Sequence, residues 1–254
     1  MRPENPTPDP PAGEPVPGTP ARAEPGSGGA ITMVDALFAL LARCEDAWDT
    51  ADRTGDPVDI LDHDRQCAEL LRRDHPADLE LQVAGLVHDI GHVLVPGDDA
   101  GHGRHGADAV RALLGERVAR LVELHVVAKR FLVATDPAHA AGLSASSLRT
   151  LIAQGGPMSP EEARAFRADP DFAAALALRR ADDAGKVVGL SVAPLREWRP
   201  VVERVAAIGR CGPDPARTPS AEPAHPRGVN QPPKVNTSNP TACAAGNPSL
   251  GPVA

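Results

Sequence analysis

The feature that most constrains this chain is a histidine–aspartate pair inside an apolar run, at residues 86–92, which read LVHDIGH. His88 and Asp89 are adjacent, and His92 follows one helical turn later. Burying imidazole and carboxylate groups costs free energy unless each finds a partner. A metal cluster is the most economical partner, because the histidine nitrogen can bind one ion while the carboxylate spans two. The rest of the sequence is therefore expected to supply further ligands.

Only the middle of the chain has the composition of a folded domain. Residues 1–30 and 211–254 are rich in Pro and Gly and poor in large apolar side chains, so both are predicted to be disordered tails. About 180 residues remain, 31–210, enough for one domain with a core. The first tail lacks the apolar stretch of a signal peptide, and no segment is apolar enough to span a membrane. We therefore expect a cytoplasmic protein that does not bind membranes.

The charge and the cysteine spacing argue against a nucleic-acid-binding protein and against a disulfide-bonded or zinc-ribbon protein. The formal net charge is −8 and no dense Lys/Arg block is present, which argues against nucleic-acid binding. The four cysteines lack the paired short spacing of a disulfide framework or a zinc ribbon. We expect reduced thiols at Cys44, Cys67, Cys211 and Cys243. The sequence makes no prediction about oligomeric state.

The spacing of apolar residues predicts helices throughout and no strand, and hence an all-α fold. Residues 31–48 form one amphipathic pattern. Asp56 before Pro57 predicts the N-cap of a second helix, which carries His63. The other helices are predicted at 79–94, capped by Asp78, at 106–115 and 116–132, and from Ser144, from Ser159 (a capping box) and from about Asp171.

Metal-ligand residue types recur along these helices. Seven of the nine histidines lie between His63 and His125. Histidine and carboxylate ligands suit iron, manganese or zinc, and the absence of cysteine near them argues against a thiolate site. We predict a two-metal site whose candidate ligands are His63, His88, Asp89, His102, His125 and Asp182.

This order of residues resembles the HD-domain superfamily, whose pattern is H…HD…D with two further histidines in its two-metal members. The resemblance implies a single HD-domain helical bundle. It also implies that Asp89 bridges two ions, the first bound by His63, His88 and Asp182 and the second by His102 and His125.

Two ligand assignments have competitors nearby in the sequence. Asp182 is preferred to Asp183 because Lys186 follows it at the fourth position, as in the relatives. His102 is preferred to His105 because it stands four residues before a Gly-Ala pair, again as in the relatives. The relatives have Glu after that histidine where this chain has Gly103, so His105 stays open as the ligand.

The metal ligands alone do not choose the reaction. Two-metal HD proteins mostly hydrolyse phosphate esters. A small branch, of which myo-inositol oxygenase is a distant member, activates dioxygen at a diiron centre. Three segments resemble the dioxygenases of this branch that cleave 2-amino-1-hydroxyethylphosphonate and its trimethylamino analogue: LHVVAKR at 124–130, LSASSLRT at 143–150 and QGGPM at 154–158. With DHDRQCAEL, LVHDIGH and ADDAGK, the similarity covers roughly residues 55–186.

These segments contain candidate substrate-binding residues. Lys129 follows His125 by four residues and shares its helical face, where an ammonium can hold a phosphonate oxygen. Ser147 and Thr150 are one turn apart near a helix start, which favours an anion. Their alternative role is ordinary capping and helix-surface chemistry.

Further candidates come with a departure from the family pattern. His92 is a candidate donor to substrate, and by resemblance Gln154 belongs to the pocket wall. The phosphonate dioxygenases have a Tyr-x-x-Glu pair ahead of the first histidine that guards the metal site. This chain has no tyrosine, and Arg53 and Asp56 occupy those positions. Arg53 cannot act as a removable phenol ligand, whereas Asp56 retains a carboxylate for a substrate cation, unless it only caps a helix.

The resemblance implies an iron-dependent dioxygenase that cleaves the C–P bond of a small 1-hydroxyphosphonate to a carboxylic acid and phosphate. It implies two iron ions as a mixed-valent pair, O2 as co-substrate and no catalytic side chain beyond the metal centre. One alternative is a phosphohydrolase of nucleotides or phosphoesters that uses manganese or another divalent ion. Another is a non-catalytic regulator that binds a small molecule.

Overall fold

A computed structural model describes residues 29–50, 53 and 55–211. The predicted tails lie outside the described residues, except for residues 29, 30 and 211. The described part is all-α, as predicted, with eleven helices and no strand. The helices are α1 (Val34–Ala42), α2 (Ile60–Asp74), α3 (Leu79–Val87), α4 (Gly91–Leu94), α5 (His102–Leu114), α6 (Glu116–Thr135), α7 (Pro137–Gly142), α8 (Ala145–Ala153), α9 (Pro160–Arg167), α10 (Phe172–Ala184) and α11 (Leu195–Cys211).

The main core lies among α2, α3, α5, α6, α10 and α11. Each of these helices buries apolar side chains, such as Leu86 on α3, Leu121 on α6 and Trp198 on α11. Burial of each such side chain contributes about 1.5–3 kcal/mol. Phe131, Phe166 and Phe172 form a second cluster beside α6. Among the described residues, no helix combines the length and the apolar character that a membrane crossing requires.

The predicted cap of α2 is wrong. The N-cap is Asp59, whose carboxylate accepts a hydrogen bond from the Asp62 amide at 2.8 Å. Asp56 lies three residues earlier, and its carboxylate instead accepts a hydrogen bond from Lys186 Nζ at 2.5 Å. A partner 130 residues away along the chain has thus replaced the local one.

The helix predicted at 79–94 is interrupted. Asp78 caps α3 as predicted, but α3 ends at Val87, residues 88–90 form a turn, and α4 begins at Gly91. A Cβ on Gly91 would lie 1.9 Å from the backbone oxygen of His102. The missing side chain therefore lets the first turn of α5 pack directly against α4 and brings His102 close to the turn.

Some of the other helix ends were predicted correctly and some were not. Ser144 caps α8, and Ser159 caps α9 with the predicted capping box. Helix α1 ends at Ala42 rather than near residue 48, and α5 begins at His102 rather than at 106. Helices α7 and α11 were not predicted.

Candidate metal centre

The six candidate ligands come from five separate parts of the fold and meet in one buried cluster. Helices α2, α5, α6 and α10 contribute one residue each, and the turn between α3 and α4 contributes two. The members of this histidine–aspartate cluster are His63, His88, Asp89, His102, His125 and Asp182.

One half of the cluster joins α2, the turn and α10. His63 Nε2 lies 3.2 Å from His88 Nε2, 3.4 Å from Asp182 Oδ1 and 3.6 Å from Asp89 Oδ2. His88 Nε2 lies 3.7 Å from Asp89 Oδ2 and 3.8 Å from Asp182 Oδ2. Ligand atoms bind a metal ion at about 2.0–2.2 Å, so neighbouring ligands of one ion are about 3–4 Å apart. These four side chains fit a shared ion.

The other half of the cluster joins α5 and α6. His102 Nε2 lies 2.9 Å from His125 Nε2, and Asp89 Oδ1 lies 3.5 Å and 3.7 Å from these two nitrogens. Asp89 therefore directs Oδ2 towards His63 and His88 and Oδ1 towards His102 and His125. This is the arrangement of a carboxylate that bridges two ions.

The hydrogen bonds of the outer ring nitrogens fix which tautomer each histidine adopts when its ring is neutral. Each Nδ1 lies within hydrogen-bond distance of a backbone carbonyl, which can only accept, so each Nδ1 carries the proton. Each Nε2 lone pair then faces the cluster, and lone pairs 2.9–3.2 Å apart repel unless a cation lies between them. The pairs are His63 with Gly185 (2.9 Å), His88 with Gly85 (2.9 Å), His102 with Asp99 (2.7 Å) and His125 with Val122 (2.5 Å).

The electrostatics of the cluster also fit metal binding. Burial lowers the pKa of His102 to about 4 and holds the pKa of His125 well below its usual range, so both rings are neutral at pH 7. Burial alone would raise the pKa of Asp89, but the imidazoles around it, His88 first, hold that pKa well below its usual range. Against the effect of burial, Asp89 and Asp64 raise the pKa of His88 to about 10. A proton at His88 therefore competes with a metal ion for the same lone pair.

Arg179 is a residue of the site that sequence reasoning missed. It is buried, and its Nη1 lies 2.7 Å from Asp182 Oδ2. Its Nη2 pairs with Asp183, whose other oxygen lies 3.5 Å from His139 Nδ1 rather than beside a cluster histidine. Burial would raise the pKa of Asp182, but Arg179 holds it well below its usual range. The only sequence signal was the spacing of three and four residues to these aspartates.

Two further residues lie near the candidate ligands, His105 and Cys67. His105 lies outside the cluster, with Nε2 2.7 Å from Asp98 Oδ2. Cys67, one turn after His63, lies beside the cluster, with Sγ 3.8 Å from His63 Nε2, so the statement that no cysteine lies near the ligands is wrong. Its thiol donates to the Ala181 carbonyl at 3.5 Å, and burial raises its pKa well above the usual range.

Three candidate substrate residues form a connected group beside the cluster. Lys129 is buried, and its Nζ donates to Thr150 Oγ1 at 2.8 Å. Burial, and then the positive charge of Arg179, lower the pKa of Lys129 to about 8. Thr150 Oγ1 in turn donates towards the Ser147 carbonyl at 3.2 Å, and the Ser147 side chain is buried.

The remaining candidates, His92 and Gln154, both contact Asp99. His92 stacks on the ring of His102, with centroids 4.2 Å apart, and its Nδ1 lies 3.4 Å from Asp99 Oδ1. Gln154 Nε2 donates to the Asp99 carbonyl at 3.2 Å. Asp99 therefore contacts both His92, through its carboxylate, and Gln154, through its carbonyl.

The segment where the relatives have Tyr-x-x-Glu differs from both roles expected for Asp56, a carboxylate for a substrate cation and a helix cap. Arg53 places its guanidinium 5.1 Å from the Trp48 ring centroid, and its φ is 57°, in the left-handed region. Asp56 pairs with Lys186, which also lies 3.8 Å from Asp182 Oδ1. The charge of Asp56 is therefore neutralised within the protein.

Comparison with known proteins places the chain in a family. The family model described as the HD domain matches residues 60–169. Hydroxymethylphosphonate dioxygenase of Gimesia maris is 37% identical over 155 residues, which cover 58% of this chain and 77% of the relative. The 1-hydroxy-2-(trimethylamino)ethylphosphonate dioxygenase (glycine-betaine-forming) of Leisingera caerulea is 31% identical over 159 residues, covering 59% and 81%.

Proposed function

This chain belongs to the HD-domain family that includes these phosphonate dioxygenases, and from that premise we propose that it is an iron-dependent dioxygenase. Its substrate is a small 1-hydroxyphosphonate whose C–P bond is cleaved. The atoms balance: one hydroxyphosphonate and one O2 contain the atoms of one carboxylic acid and one phosphate. The C–P, C1–H and O–O bonds break, a C–O and a P–O bond form, the C1 hydrogen ends as a proton on the products, and O2 is the oxidant.

The proposed centre holds two iron ions. His63, His88 and Asp182 would hold the first, His102 and His125 would hold the second, and Asp89 would contribute to both. When bound, such an iron pair supplies the activation of dioxygen. Manganese or another divalent ion would bind to the same ligands if the reaction were hydrolysis.

The observation that carries the choice of a phosphonate is the position of Lys129. Its buried ammonium lies one helical turn after His125 and already donates to Thr150, on the helix that also carries Ser147. A buried cation beside hydroxyl groups is suited to an anionic oxygen. We assign phosphonate binding to Lys129, Thr150 and Ser147, with His92 and Gln154 at the edges of the same pocket.

The test uses full-length protein purified without oxygen and loaded with Fe²⁺. Hydroxymethylphosphonate and the amino and trimethylamino derivatives of 1-hydroxyethylphosphonate are supplied with O2, and O2 uptake and phosphate release are measured. We expect one O2 consumed for each phosphate released, and a Mössbauer spectrum of a coupled iron pair.

Other outcomes would contradict this proposal. Absence of both O2 uptake and phosphate release with all three phosphonates overturns it. Phosphate release from nucleotides or phosphoesters by the Mn²⁺-loaded protein without oxygen would establish a phosphohydrolase instead. Full metal occupancy with no turnover of either substrate class would favour a non-catalytic regulator.

A further inference from the structure

The four histidines of the cluster differ in what lies beside their outer nitrogens. His63, His102 and His125 direct Nδ1 at a backbone carbonyl, and among the described contacts none of them has a carboxylate there. His88 Nδ1 lies 2.9 Å from the Gly85 carbonyl and also 3.1 Å from Asp64 Oδ1. One of the four rings therefore has a negative charge at its outer edge.

Asp64 has no other evident use in the described structure. Its side chain is completely buried, and the one described ion-pair partner of its carboxylate is His88 Nδ1, 3.1 Å from Oδ1. A buried carboxylate is costly unless a positive charge compensates it. The groups of opposite charge that act on it are the imidazoles of His88 and His63. Both imidazoles belong to the same half of the cluster, and both become more positive when they bind a cation.

The two halves of the cluster therefore differ in negative charge. The half with His63 and His88 faces Asp182 in addition to Asp89 and has Asp64 behind it. The half with His102 and His125 faces Asp89 alone among the described carboxylates. A carboxylate at the outer nitrogen orients a ligating imidazole and makes its inner nitrogen a stronger donor.

We propose that Asp64 is a positioning residue that acts through His88 and makes the two ion positions unequal. The position formed by His63, His88 and Asp182 then holds its ion more tightly than the position formed by His102 and His125. This inference rests on the two-ion centre proposed above, but not on the reaction or the substrate.

The test measures metal retention rather than turnover. Full-length protein is loaded with Fe²⁺ without oxygen and titrated with EDTA, and bound iron is counted at each step. We expect two ions released in two steps. The Asp64→Asn variant, which keeps the shape and removes the charge, should weaken the tighter step about 10–100-fold and leave the weaker step unchanged.

A matched control comes from the same helix. Asp62 is two residues earlier, partly exposed, and its side chain contacts Arg65 and Gln66. Asp62→Asn should leave both release steps unchanged. Circular dichroism of the metal-free variants verifies that each retains its helices.

The outcomes separate this inference from the proposed function. Two release steps that Asp64→Asn leaves unchanged, or weakens equally, overturn the role of Asp64 alone. A wild-type protein that binds only one ion overturns the inequality together with the two-ion centre.

Discussion

The histidine–aspartate cluster and the group of residues that carries several of the candidate substrate-binding side chains differ in how completely their polar groups are satisfied. We call this second group the wall and define it as residues 48–50, 53, 55 and 56 together with α8 and Gln154. In the cluster, each of the four imidazoles has its outer nitrogen at a carbonyl. The buried carboxylate of Asp64 behind it has the His88 ring as its ion-pair partner. In the wall, Trp48 Nε1, Asp56 Oδ1 and Gln154 Oε1 are buried without a hydrogen-bond partner among the described residues.

The difference indicates which part of the site has its polar groups partnered before a ligand binds. Buried polar atoms are nearly always hydrogen-bonded in folded proteins, so unpartnered ones mark groups that await a ligand or water. The cluster is oriented by the fold itself, and the wall retains donors and acceptors for a substrate. Changes in the cluster should therefore affect metal content, whereas changes in the wall should affect substrate use.

The largest expected effect comes from the bridging carboxylate. Asp89→Asn replaces one anionic oxygen with an amide nitrogen that cannot ligate the second ion. We expect kcat/KM to fall about 1,000-fold, together with a loss of bound iron measured by metal analysis. The control is His105→Asn, which lies outside the cluster and should retain both ions. Full iron content in Asp89→Asn would contradict the claim that changes in the cluster affect metal content.

A smaller effect is expected where the cluster meets the wall. Lys129→Met should lower kcat/KM for the phosphonate about 100-fold and leave the iron content unchanged, because the ammonium contacts Thr150 and not the cluster nitrogens. Lys129→Arg, which keeps the charge, is the matched variant and should retain more activity. Loss of iron in Lys129→Met would assign this residue to the cluster instead.

The same lysine predicts a pH dependence. Its pKa is lowered to about 8, so the charged form is present below that pH and is lost as the pH rises through it. We therefore expect kcat/KM to fall above about pH 8. In Lys129→Arg the guanidinium stays charged, and the decline should move to higher pH. A profile that is the same in both proteins would exclude Lys129 as the group that titrates.

The prediction with the smallest effect concerns Asp56 in the wall and its partner Lys186. Lys186 neutralises Asp56, so the wild-type protein should prefer hydroxymethylphosphonate over the trimethylamino substrate. Lys186→Met should shift the ratio of the two kcat/KM values about 10-fold towards the cationic substrate, a difference of about 1.4 kcal/mol. The ratio cancels any loss of metal through Asp182. Asp56→Asn should not produce this shift, and an unchanged ratio in Lys186→Met would show that Asp56 does not face the substrate.

Local sequence patterns predicted most of the helices. Helical periodicity and capping residues act within a few positions of each other, which is why Asp78, Ser144 and Ser159 were correctly placed as caps. The cap predicted at Asp56 from the local pattern was wrong, because Asp56 pairs with Lys186, which follows the end of α10. The local pattern failed again at residues 88–90, where the approach of His102 to Gly91 accompanies the break between α3 and α4.

The sequence by itself determined the all-α architecture and the set of side chains with metal-ligand chemistry, because residue type and helical spacing are properties of short segments. Only the tertiary structure decided that five separate parts of the fold direct these side chains at one point and that Asp89 turns one oxygen to each half. It also decided that Arg179 and Asp64 lie beside the cluster. Those contacts depend on which helix faces meet, and helix packing joins residues that no local pattern relates.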